Sequence, residues 1–301
     1  MIELGADTDG SLRQDFAGDT ANLAVYLARL LPAARIHYVT ALGDDAFSQG
    51  MMERWREEGI DTRLVRRLPD RLPGIYWIRT DAAGERSFYY WRQHSAARAL
   101  LSEGFVVALE KALAGFDLVC LSGISLAILS PERRDELLGM LARLRKTGLR
   151  VMFDTNFRAQ LWDNVASARH YFQTVLAIAD IVITSVDDEQ AVFGDDSAVE
   201  TRNRLIDAGV DDIVVRQGPG PCLVYAQGRL DQAGPEPVAE VRDTTGAGDA
   251  FDAAYLAARL EGQAAVQAAR AAQVLAIRVI AHPGAILPRE ATPELADLLA
   301  S

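Results

Sequence analysis

The segment at residues 243–252, with the sequence DTTGAGDAFD, combines small residues, glycines and carboxylates immediately before an alanine-rich stretch that ends at Leu260. A turn of small residues at the start of a helix leaves backbone N–H groups without intrahelical partners, at the positive end of the helix dipole. Such a helix start is suited to bind an anion, and phosphate in particular. We therefore expect the backbone of Gly246, Ala247 and Gly248 to form an anion hole.

Asp249 lies inside this predicted anion hole, where its carboxylate would repel a phosphate. A carboxylate in that position could instead accept the proton of a substrate hydroxyl that attacks a bound phosphoryl group. The simpler interpretation is a helix start whose acidic residue only stabilises the dipole. The residue types therefore predict phosphoryl transfer with Asp249 as the catalytic base.

Two further glycine-containing turns, at residues 17–22 (AGDTAN) and 41–50 (ALGDDAFSQG), each lead into a predicted helix. In the first, Gly18 allows close approach of the backbone, and Asp19 and Asn22 can form hydrogen bonds with the hydroxyls of a polyol. Asp19 could equally act as a simple N-cap. For the segment at 41–50, a turn with no part in ligand binding is as good an interpretation as a functional turn.

Three predicted strands end in polar segments, at the edge where open α/β sheets bind ligands. In DTNFR at 154–158, Arg158 could contact an anion, in bidentate fashion if the anion is a carboxylate. The acids of SVDDE at 185–189 could either favour the helix dipole or order water around a Mg²⁺ held mainly by nucleotide phosphates. RQGPG at 216–220 would suit a wall of a nucleotide site.

The composition restricts the class of protein. The 301 residues are 50% apolar and 24% charged, as in ordinary globular proteins. No apolar run reaches the ~18 residues that span a bilayer, and we expect neither a membrane span nor a signal peptide. The net charge of −11 argues against binding to nucleic acid. Cys120 and Cys222 are expected to be buried reduced thiols in a cytoplasmic protein.

Short apolar runs alternate with amphipathic stretches along most of the chain, which is typical of βαβ units. The pattern predicts an α/β fold with a mostly parallel central sheet flanked by helices. A strand-like run at 238–241 leads into the predicted anion hole. The other predicted strands are 36–40, 118–121, 151–154, 181–184, 213–215 and 223–225. The predicted helices are 20–31, 46–58, 131–146, 165–179 and 250–260.

Residues 61–92 interrupt this alternation because they contain no convincing helix. Two aromatic-rich segments, 74–79 and 86–92, flank a turn at 81–85, which predicts a β-hairpin. An isolated hairpin is only marginally stable. We interpret it as a small inserted β lid, and a peripheral hairpin with core aromatics is the alternative. We therefore expect the chain to have two parts. Residues 1–60 and 93–301 form an α/β domain that binds nucleotide and substrate. Residues 61–92 form the lid, with an optional contribution from residues 1–16.

The lid has more large rings than a two-stranded ribbon can bury. Strand alternation places Tyr76 and Tyr90 on one face, towards substrate, and Trp77 and Trp91 on the other. Exposed rings would form an apolar patch that monomers rarely tolerate, so we expect two lids to pair in a homodimer or a higher homo-oligomer. In the alternative, the second face rests on the chain's own α/β domain. The rings are Tyr76, Trp77, Phe88, Tyr89, Tyr90 and Trp91.

Several common catalytic motifs are absent from the sequence. It has no Walker A motif, no protein-kinase motif set, no G-x-S-x-G elbow and no His/Cys cluster with metal-binding spacing. The histidines are single and scattered, and we expect structural roles for them. They are His37, His94, His170 and His282.

The motifs that are present resemble those of the ribokinase-like (PfkB) carbohydrate kinases. DTTGAGD at 243–249, followed by AAYL at 253–256, matches the C-terminal signature of that family, and GDTAN at 18–22 with GDD at 43–45 is similar to its N-terminal signature. Within the family, the chain is most similar to 2-keto-3-deoxygluconate (KDG) kinases along nearly its whole length. The segments that carry this likeness are 17–22, 72–76, 84–92, 121–130, 156–158, 161–162 and 284–290.

The resemblance implies an ATP-dependent kinase that uses Mg²⁺ and phosphorylates the terminal 6-hydroxyl of KDG to 2-keto-3-deoxy-6-phosphogluconate, with Asp249 as base. The implied contacts with the sugar acid come from Gly18, Tyr76, Tyr90, Arg92 and Arg158, in addition to the hydroxyl contacts of Asp19 and Asn22. The implied nucleotide contacts come from Asn156, Arg158, Arg216, Gln217, Gly218, Gly220, Gly246 and Gly248.

Two other functions stay open from the sequence. A fructokinase- or ribokinase-type enzyme would act on a neutral sugar, which gives Arg92 and Arg158 no anion to pair with. A sugar-acid-binding regulator without activity is the second alternative, and the intact motif at 246–249 disfavours it.

The chain departs from the family pattern in two places. The family usually has Asn-x-x-Glu near Mg²⁺, and the matching residues here are Ser185 and Asp188, so we expect Asp188 to act through a water molecule. Relatives also carry an apolar strand ending in Gly-Glu ahead of the residues that match 1–4. We expect either a start codon assigned late or a missing central strand, which would leave an unpaired position in the sheet.

Overall fold

The computed structural model describes residues 1–6, 11–80, 86–102, 104–234 and 241–300. In chain order, the strands are β1 Ile2–Ala6, β2 Leu12–Phe16, β3 Thr40–Leu42, β4 Val65–Arg67, β5 Ile75–Thr80, β6 Arg86–Trp91, β7 Leu118–Ser122, β8 Arg150–Asp154, β9 Ile181–Ser185, β10 Asp212–Arg216, β11 Cys222–Ala226 and β12 Arg229–Ala233. The helices are α1 Asp19–Leu30, α2 Ala46–Glu57, α3 Phe105–Leu113, α4 Gly123–Ala127, α5 Pro131–Arg145, α6 Val165–Leu176, α7 Val186–Phe193, α8 Ala198–Asp207, α9 Ala247–Leu260, α10 Ala265–Ile280 and α11 Leu295–Ala300. None of the helices in these ranges combines the length and apolar character required to cross a membrane.

The central sheet has six strands in the order β12-β11-β10-β9-β8-β7. Strands β7 to β10 are parallel, and β11 and β12 extend the sheet with antiparallel pairing at one edge. The parallel strands are joined by helices, because a parallel pair needs a crossover connection. The predicted α/β architecture, with helices flanking a mostly parallel sheet, is confirmed.

Side-chain alternation explains why helices cover both faces of this sheet. In β8, Phe153 points to one face and packs in the cluster formed with α3 to α8, whereas Met152 points to the other and packs with α1, α9, α10 and α11. Both side chains are fully buried. A strand that is apolar on both faces is stable only between two layers of helices.

A second sheet has four strands in the order β2-β1-β5-β6, and we call it the lid sheet. The predicted hairpin strands are confirmed, since β5 and β6 pair antiparallel with Tyr76 opposite Tyr90. The predicted turn at 81–85 lies outside the described residues. β1 pairs with both β5 and β2, so residues 2–16 contribute two strands to this sheet. A division of the chain into domain and lid stays a prediction.

Several elements differ from the sequence prediction. The strand predicted at 36–40 is displaced to β3, because its partner β4 pairs with residues 40–42 and only a single bridge joins His37 to Asp61 upstream. β4 therefore lies within residues 61–92, the predicted lid, but its partner β3 is not part of the lid sheet. β2 and β12 are polar, largely exposed strands without apolar alternation, which explains why the sequence pattern did not reveal them. The strand-like run at 238–241 lies mostly outside the described residues.

Candidate active site

The predicted site residues on α1 and α9 meet at the carboxyl ends of the parallel strands. Asn22, on α1, donates a hydrogen bond of 2.7 Å from Nδ2 to Oδ2 of Asp249, on α9. Asp19, the first residue of α1, accepts a hydrogen bond from the hydroxyl of Ser122 at the end of β7. The amide of Gly18 donates to the side-chain oxygen of Asn22 at 3.3 Å. Two helix starts and one strand end therefore converge on the Asp249 carboxylate.

Gly246 determines the geometry of the start of α9. Its φ of +75° is in the left-handed region that favours glycine. A Cβ at this position would lie 2.5 Å from the carbonyl oxygen of Ala285, so a larger residue does not fit. Asp243 fixes the preceding turn, since its carboxylate accepts from the amides of Thr245 at 2.9 Å and Gly284 at 2.7 Å.

The first turn of α9 carries the backbone donors of the predicted anion hole. The Ala247 amide makes only a long hydrogen bond, 3.4 Å, to the carbonyl of Thr244. Across the described part of the chain, the amides of Gly248 and Asp249 have no backbone acceptor, as expected for the first turn of a helix. These N–H groups can therefore bind an anion next to the Asp249 carboxylate.

Burial raises the pKa of Asp249 to about 7. The negative charge of Asp19 acts in the same direction, and that of Asp154 adds to it. The hydrogen bond from Asn22 and the positive charge of Arg216 partly oppose this rise. A carboxyl group that titrates near neutral pH can accept and release a proton under physiological conditions.

Arg216, which the resemblance assigns to the nucleotide, extends beneath the start of α9. Its Nη2 lies 3.0 Å from Oδ1 of Asp154, and its Nη1 lies 3.4 Å from Oδ1 of Asp252. Both carboxylates are buried, so the shared guanidinium compensates for part of their desolvation. A Cβ on Gly248 would lie 2.8 Å from Nη1, so Arg216 packs closely against the first turn of α9. Its contact with a nucleotide stays a prediction.

No role was predicted for Asp154 or Asp252, although the position of each in the sequence indicates one. Asp252 follows Asp249 by three residues on α9, and this spacing places two side chains on one helix face. Asp154 is the last residue of β8, at the edge of the sheet where the site lies. Burial raises the pKa of both carboxyl groups, and the positive charge of Arg216 opposes this rise.

The loops after β8 and β10 carry the other predicted nucleotide contacts. Asn156 is buried with a φ of +29°, a value that is uncommon outside glycine and that Asn tolerates better than most residues. After β10, Gln217 Nε2 donates to the carbonyl of Pro221 at 2.5 Å, and the Gly220 amide donates to the carbonyl of Gln217 at 2.9 Å. Gly218 has a φ of +56° in this tight loop. Both loops lie at the carboxyl edge of the central sheet.

Asp188 is half-buried in the first turn of α7, where its Oδ2 lies 3.4 Å from the hydroxyl of Thr155. Its neighbour Glu189 is buried and pairs with Arg204, so it is not available to a ligand. Among the residues that the structure describes, no three His, Cys, Asp or Glu side chains gather as a metal site. One carboxylate contact of this kind fits a Mg²⁺ ion that retains water and is bound mainly by phosphates. Water-mediated contact from Asp188 is compatible with this arrangement.

The two arginines assigned to the sugar acid are electrostatically coupled. The Cζ of Arg92 lies 4.2 Å from the ring centroid of Tyr90. Burial lowers the pKa of Arg92. Tyr90 and Asp19 act in the opposite direction, and the positive charge of Arg158 lowers this pKa further. Arg158 is exposed, and its Nη1 donates to the carbonyl of Phe157 at 2.8 Å. An anion beside Arg92 and Arg158 would relieve their mutual repulsion.

Tyr76 connects the lid sheet to the turn before α9. It shares one face of the sheet with Tyr90, as predicted, and their ring centroids are 6.0 Å apart. Tyr76 is buried, and its hydroxyl donates to the carboxylate of Glu3 on β1. It packs in one cluster with Ala285, the residue that abuts Gly246. Its contact with substrate stays a prediction.

Comparison with known proteins agrees with this geometry. The chain matches the family model described as pfkB family carbohydrate kinase over residues 3–292. It is 45% identical to the 2-dehydro-3-deoxygluconokinase of Escherichia coli strain K12 over 298 residues, which cover 97% of this chain and 96% of that protein. The crystal structure of 2-dehydro-3-deoxygluconokinase from Thermotoga maritima superposes with a TM-score of 0.86 at 22% identity, over 100% of this chain and 96% of that one. For the Xylella fastidiosa fructokinase with bound ATP, the TM-score is 0.83 at 22% identity, over 100% and 94% of the two chains. The chain therefore has the ribokinase-like fold and belongs to the pfkB family of carbohydrate kinases.

Proposed function

We propose that this protein is a KDG kinase, which transfers the γ-phosphoryl group of ATP to the terminal 6-hydroxyl of KDG, also named 2-dehydro-3-deoxygluconate. The observation that carries the proposal is the Asp249 carboxylate, which Asn22 holds in the first turn of α9, where the amides of Gly248 and Asp249 have no backbone acceptor among the described residues. The 45% identity with the Escherichia coli enzyme of that name supports the choice of substrate.

Asp249 acts as the base in the proposed reaction. The 6-hydroxyl oxygen of KDG attacks the γ-phosphorus of ATP, and the bond from that phosphorus to the bridging oxygen breaks as ADP leaves. The hydroxyl proton passes to the Asp249 carboxylate, which Asn22 keeps in position. The N–H groups of Gly246, Ala247 and Gly248 stabilise the charge on the transferring group.

The nucleotide is proposed to lie along the loops after β8 and β10. Asn156, Arg158 and residues 216–220 reach the carboxyl edge of the sheet, on the side of the anion hole, which supports this orientation. Bound Mg²⁺ would neutralise charge on the phosphates. Asp188 would hold it through water, because its half-buried carboxylate lies 3.4 Å from the hydroxyl of Thr155, at the carboxyl edge of the central sheet.

The substrate carboxylate is proposed to lie between Arg92 and Arg158. Guanidinium groups bind carboxylates in bidentate fashion, and a neutral sugar would leave this pair of cations uncompensated. This argues against a fructokinase- or ribokinase-type activity. The site retains both a base and an anion hole, which argues against a regulator without activity.

A coupled assay of ADP release with a panel of substrates tests the proposal. With ATP and Mg²⁺, we expect turnover of KDG to exceed turnover of fructose and ribose at least ~100-fold in kcat/KM, since each lost charged hydrogen bond costs one or more powers of ten. Equal turnover of a neutral sugar would assign the enzyme to the fructokinase type. Binding of KDG without turnover would indicate a regulator.

The proposed reaction belongs in the cytoplasm, where ATP is available. Cys120 and Cys222 are free thiols, which fits a reducing compartment. The large acidic excess of the chain gives it no reason to associate with nucleic acid.

We expect kcat/KM for KDG to rise with pH through about 7 and to level off above it. Asp249 accepts a proton only when ionised, and burial raises its pKa to about 7. Asp19→Asn removes the neighbouring negative charge and should move the midpoint to lower pH. Steady-state rates between pH 5.5 and 9 give the midpoint of the pH profile for the wild type and for Asp19→Asn. Asp207→Asn, at the exposed end of α8, is the control. An unchanged midpoint in the Asp19 variant would contradict the electrostatic account.

Arg158→Lys is expected to lower kcat/KM for KDG about 10-fold or more, because the planar fork that binds a carboxylate is lost while the charge remains. The loss for a neutral sugar of similar length should be much smaller. Arg133→Lys, in a half-exposed ion pair with Glu136 on α5, is the matched control. Equal losses on both substrates would assign Arg158 to the nucleotide or the fold.

We also propose that the lid sheet closes over KDG and pairs with a second copy. Tyr89 and Trp91 of the edge strand β6, on the face opposite Tyr76 and Tyr90, are 43% and 59% exposed, an apolar patch that is unusual on a monomer. Light scattering at micromolar concentration is expected to give twice the mass of one chain, and Trp91→Glu should shift the protein to monomer. A wild-type monomer with full activity would refute the interface and leave the lid role standing.

A further inference from the structure

Arg134, the fourth residue of α5, is a buried cation that the proposed reaction does not use. It is 3% exposed, and a buried charge is costly unless its donors are satisfied. Its Nε donates to the carbonyl of Leu126 at 2.9 Å, and its Nη2 donates to the carbonyl of Ala127 at 3.2 Å. Its Nη1 has no hydrogen-bond partner among the residues that the structure describes. Two backbone carbonyls therefore take the place of the carboxylate that usually accompanies a buried arginine.

Two aromatic rings cover the guanidinium of Arg134. Its Cζ lies 4.5 Å from the ring centroid of Trp162 and 4.9 Å from that of Tyr171. These two rings stack on each other, and the hydroxyl of Tyr171 donates to the carbonyl of Pro131 at the start of α5. A desolvated cation is attracted to the face of an aromatic ring. Arg134 therefore holds Trp162 against the start of α5.

Trp162 ends the segment that carries Arg158, residues 155–162, which we call the Arg158 loop. This loop follows β8 and contains one turn of 3₁₀-helix, Ala159–Leu161. Phe157 and Trp162 are buried on either side of Arg158, and their ring centroids lie 6.3 Å and 5.7 Å from that of Phe172. Arg158 itself is exposed. The loop therefore presents Arg158 between two buried aromatic anchors.

The carbonyls that Arg134 binds belong to α4, a neighbouring part of the candidate active site. α4 begins directly after Ser122, whose hydroxyl donates to Asp19. Its first residue, Gly123, packs so closely that an added Cβ would lie 2.0 Å from the carbonyl oxygen of Thr155. The start of α4 thus contacts the Arg158 loop directly, and the end of α4 contacts it through Arg134.

We infer that Arg134 is a positioning residue, which joins α4 to the Arg158 loop and thereby holds Arg158 where it binds the carboxylate of the substrate. This inference rests on the proposed function, because that function assigns the KDG carboxylate to Arg158. Arg134 acts through Trp162 and does not touch the substrate. Without it, the Arg158 loop would have to be ordered when the substrate binds, and that ordering lowers affinity.

Arg134→Met keeps the length of the side chain and removes its donors. We expect the KM for KDG to rise at least ~10-fold and kcat to change less than ~3-fold, because the loss affects binding and leaves Asp249 in place. Arg134→Lys keeps the charge and can still donate to a carbonyl, so its KM should rise only about 3-fold. Arg169→Met, at an exposed position of α6 where the arginine donates to the carbonyl of Val192, is the matched control and should leave both values unchanged.

A double substitution separates positioning of Arg158 from a general loss of structure. In the Arg158→Ala background, Arg134→Met should lower kcat/KM for KDG less than ~2-fold further, because the residue through which it acts is already gone. Losses that multiply in the double variant would overturn the inference, and so would equal KM values for Arg134→Met and the wild type.

Amide exchange in the protein without ligands tests the inference independently of the substrate. The amides of Leu161 and Trp162 donate to the carbonyls of Arg158 and Ala159. Their exchange should be at least ~10-fold faster in Arg134→Met than in the wild type or in Arg169→Met, because the Arg158 loop loses an anchor. With this result, a failure to turn over KDG would contradict the proposed function and leave the coupling of Arg134 to the loop standing. Unchanged exchange of both amides would overturn the inference whatever the substrate.

Discussion

Replacement of Asp249 by asparagine is expected to lower kcat for KDG at least ~100-fold, the usual magnitude of general-base catalysis. Asparagine has the same shape and can still accept the hydrogen bond from Asn22, so the geometry of the site should persist. The affinity for ATP should be nearly unchanged, because the lost interaction exists only as the proton transfers. A coupled ADP-release assay at pH 8, with ATP and KDG varied in turn, measures these values.

The pH dependence of stability shows whether the Asp249 variant has lost its base or its fold. The pKa of Asp249 is about 7 in the folded protein and 3.8 in a free carboxyl, so the folded state binds the proton more tightly. The contribution of protonated Asp249 to the free energy of unfolding is therefore fully present below pH 3.8 and is lost as the pH rises through about 7. Asn cannot ionise, so the variant should be more stable than the wild type at pH 8. Turnover near that of the wild type would refute the base assignment, and Asp207→Asn should change neither property.

The central sheet could be predicted from the sequence because its signals are local. Strands such as β8 and β9 are continuous apolar runs, and each is followed by a helix with its own start signal. The end of each strand then locates the ligand edge of the sheet. The polar segments predicted at this edge, 154–158, 185–189 and 216–220, lie at the ends of β8, β9 and β10.

The partners of the buried charges could not be predicted because they depend on long-range packing. Arg216 reaches Asp154 and Asp252, which are 62 and 36 residues away in sequence, and its type alone suggested a ligand contact. Likewise, the Tyr76 hydroxyl pairs with Glu3, 73 residues away. A sequence pattern predicts which face of a helix or strand a side chain lies on. The residue that it contacts on that face depends on the tertiary fold.

Gly246→Ala is expected to reduce both stability and activity, because the site depends on a backbone position that only glycine can occupy. At a φ of +75°, an L-residue costs about 1–2 kcal/mol. The added Cβ would also lie 2.5 Å from the Ala285 carbonyl oxygen and 2.8 Å from its Cα, and relief of such overlap costs a further ~1–3 kcal/mol. Since Ala285 packs with Tyr76, the displacement would move the lid sheet relative to the anion hole.

Gly262→Ala is the matched control that separates backbone strain from the clash. Gly262 follows the other end of α9 with a φ of +81°, is exposed, and has no atom within 4 Å of an added Cβ. Urea unfolding should therefore show a loss of about 1–2 kcal/mol for Gly262→Ala and about 2–5 kcal/mol for Gly246→Ala. At a temperature where both variants are folded, kcat should fall at least ~10-fold only in Gly246→Ala, because displacement of anion-hole donors by tenths of an ångström weakens their contact with the transferring phosphoryl group. Equal effects of the two substitutions on kcat would mean that the contact with Ala285 has no part in positioning the anion hole.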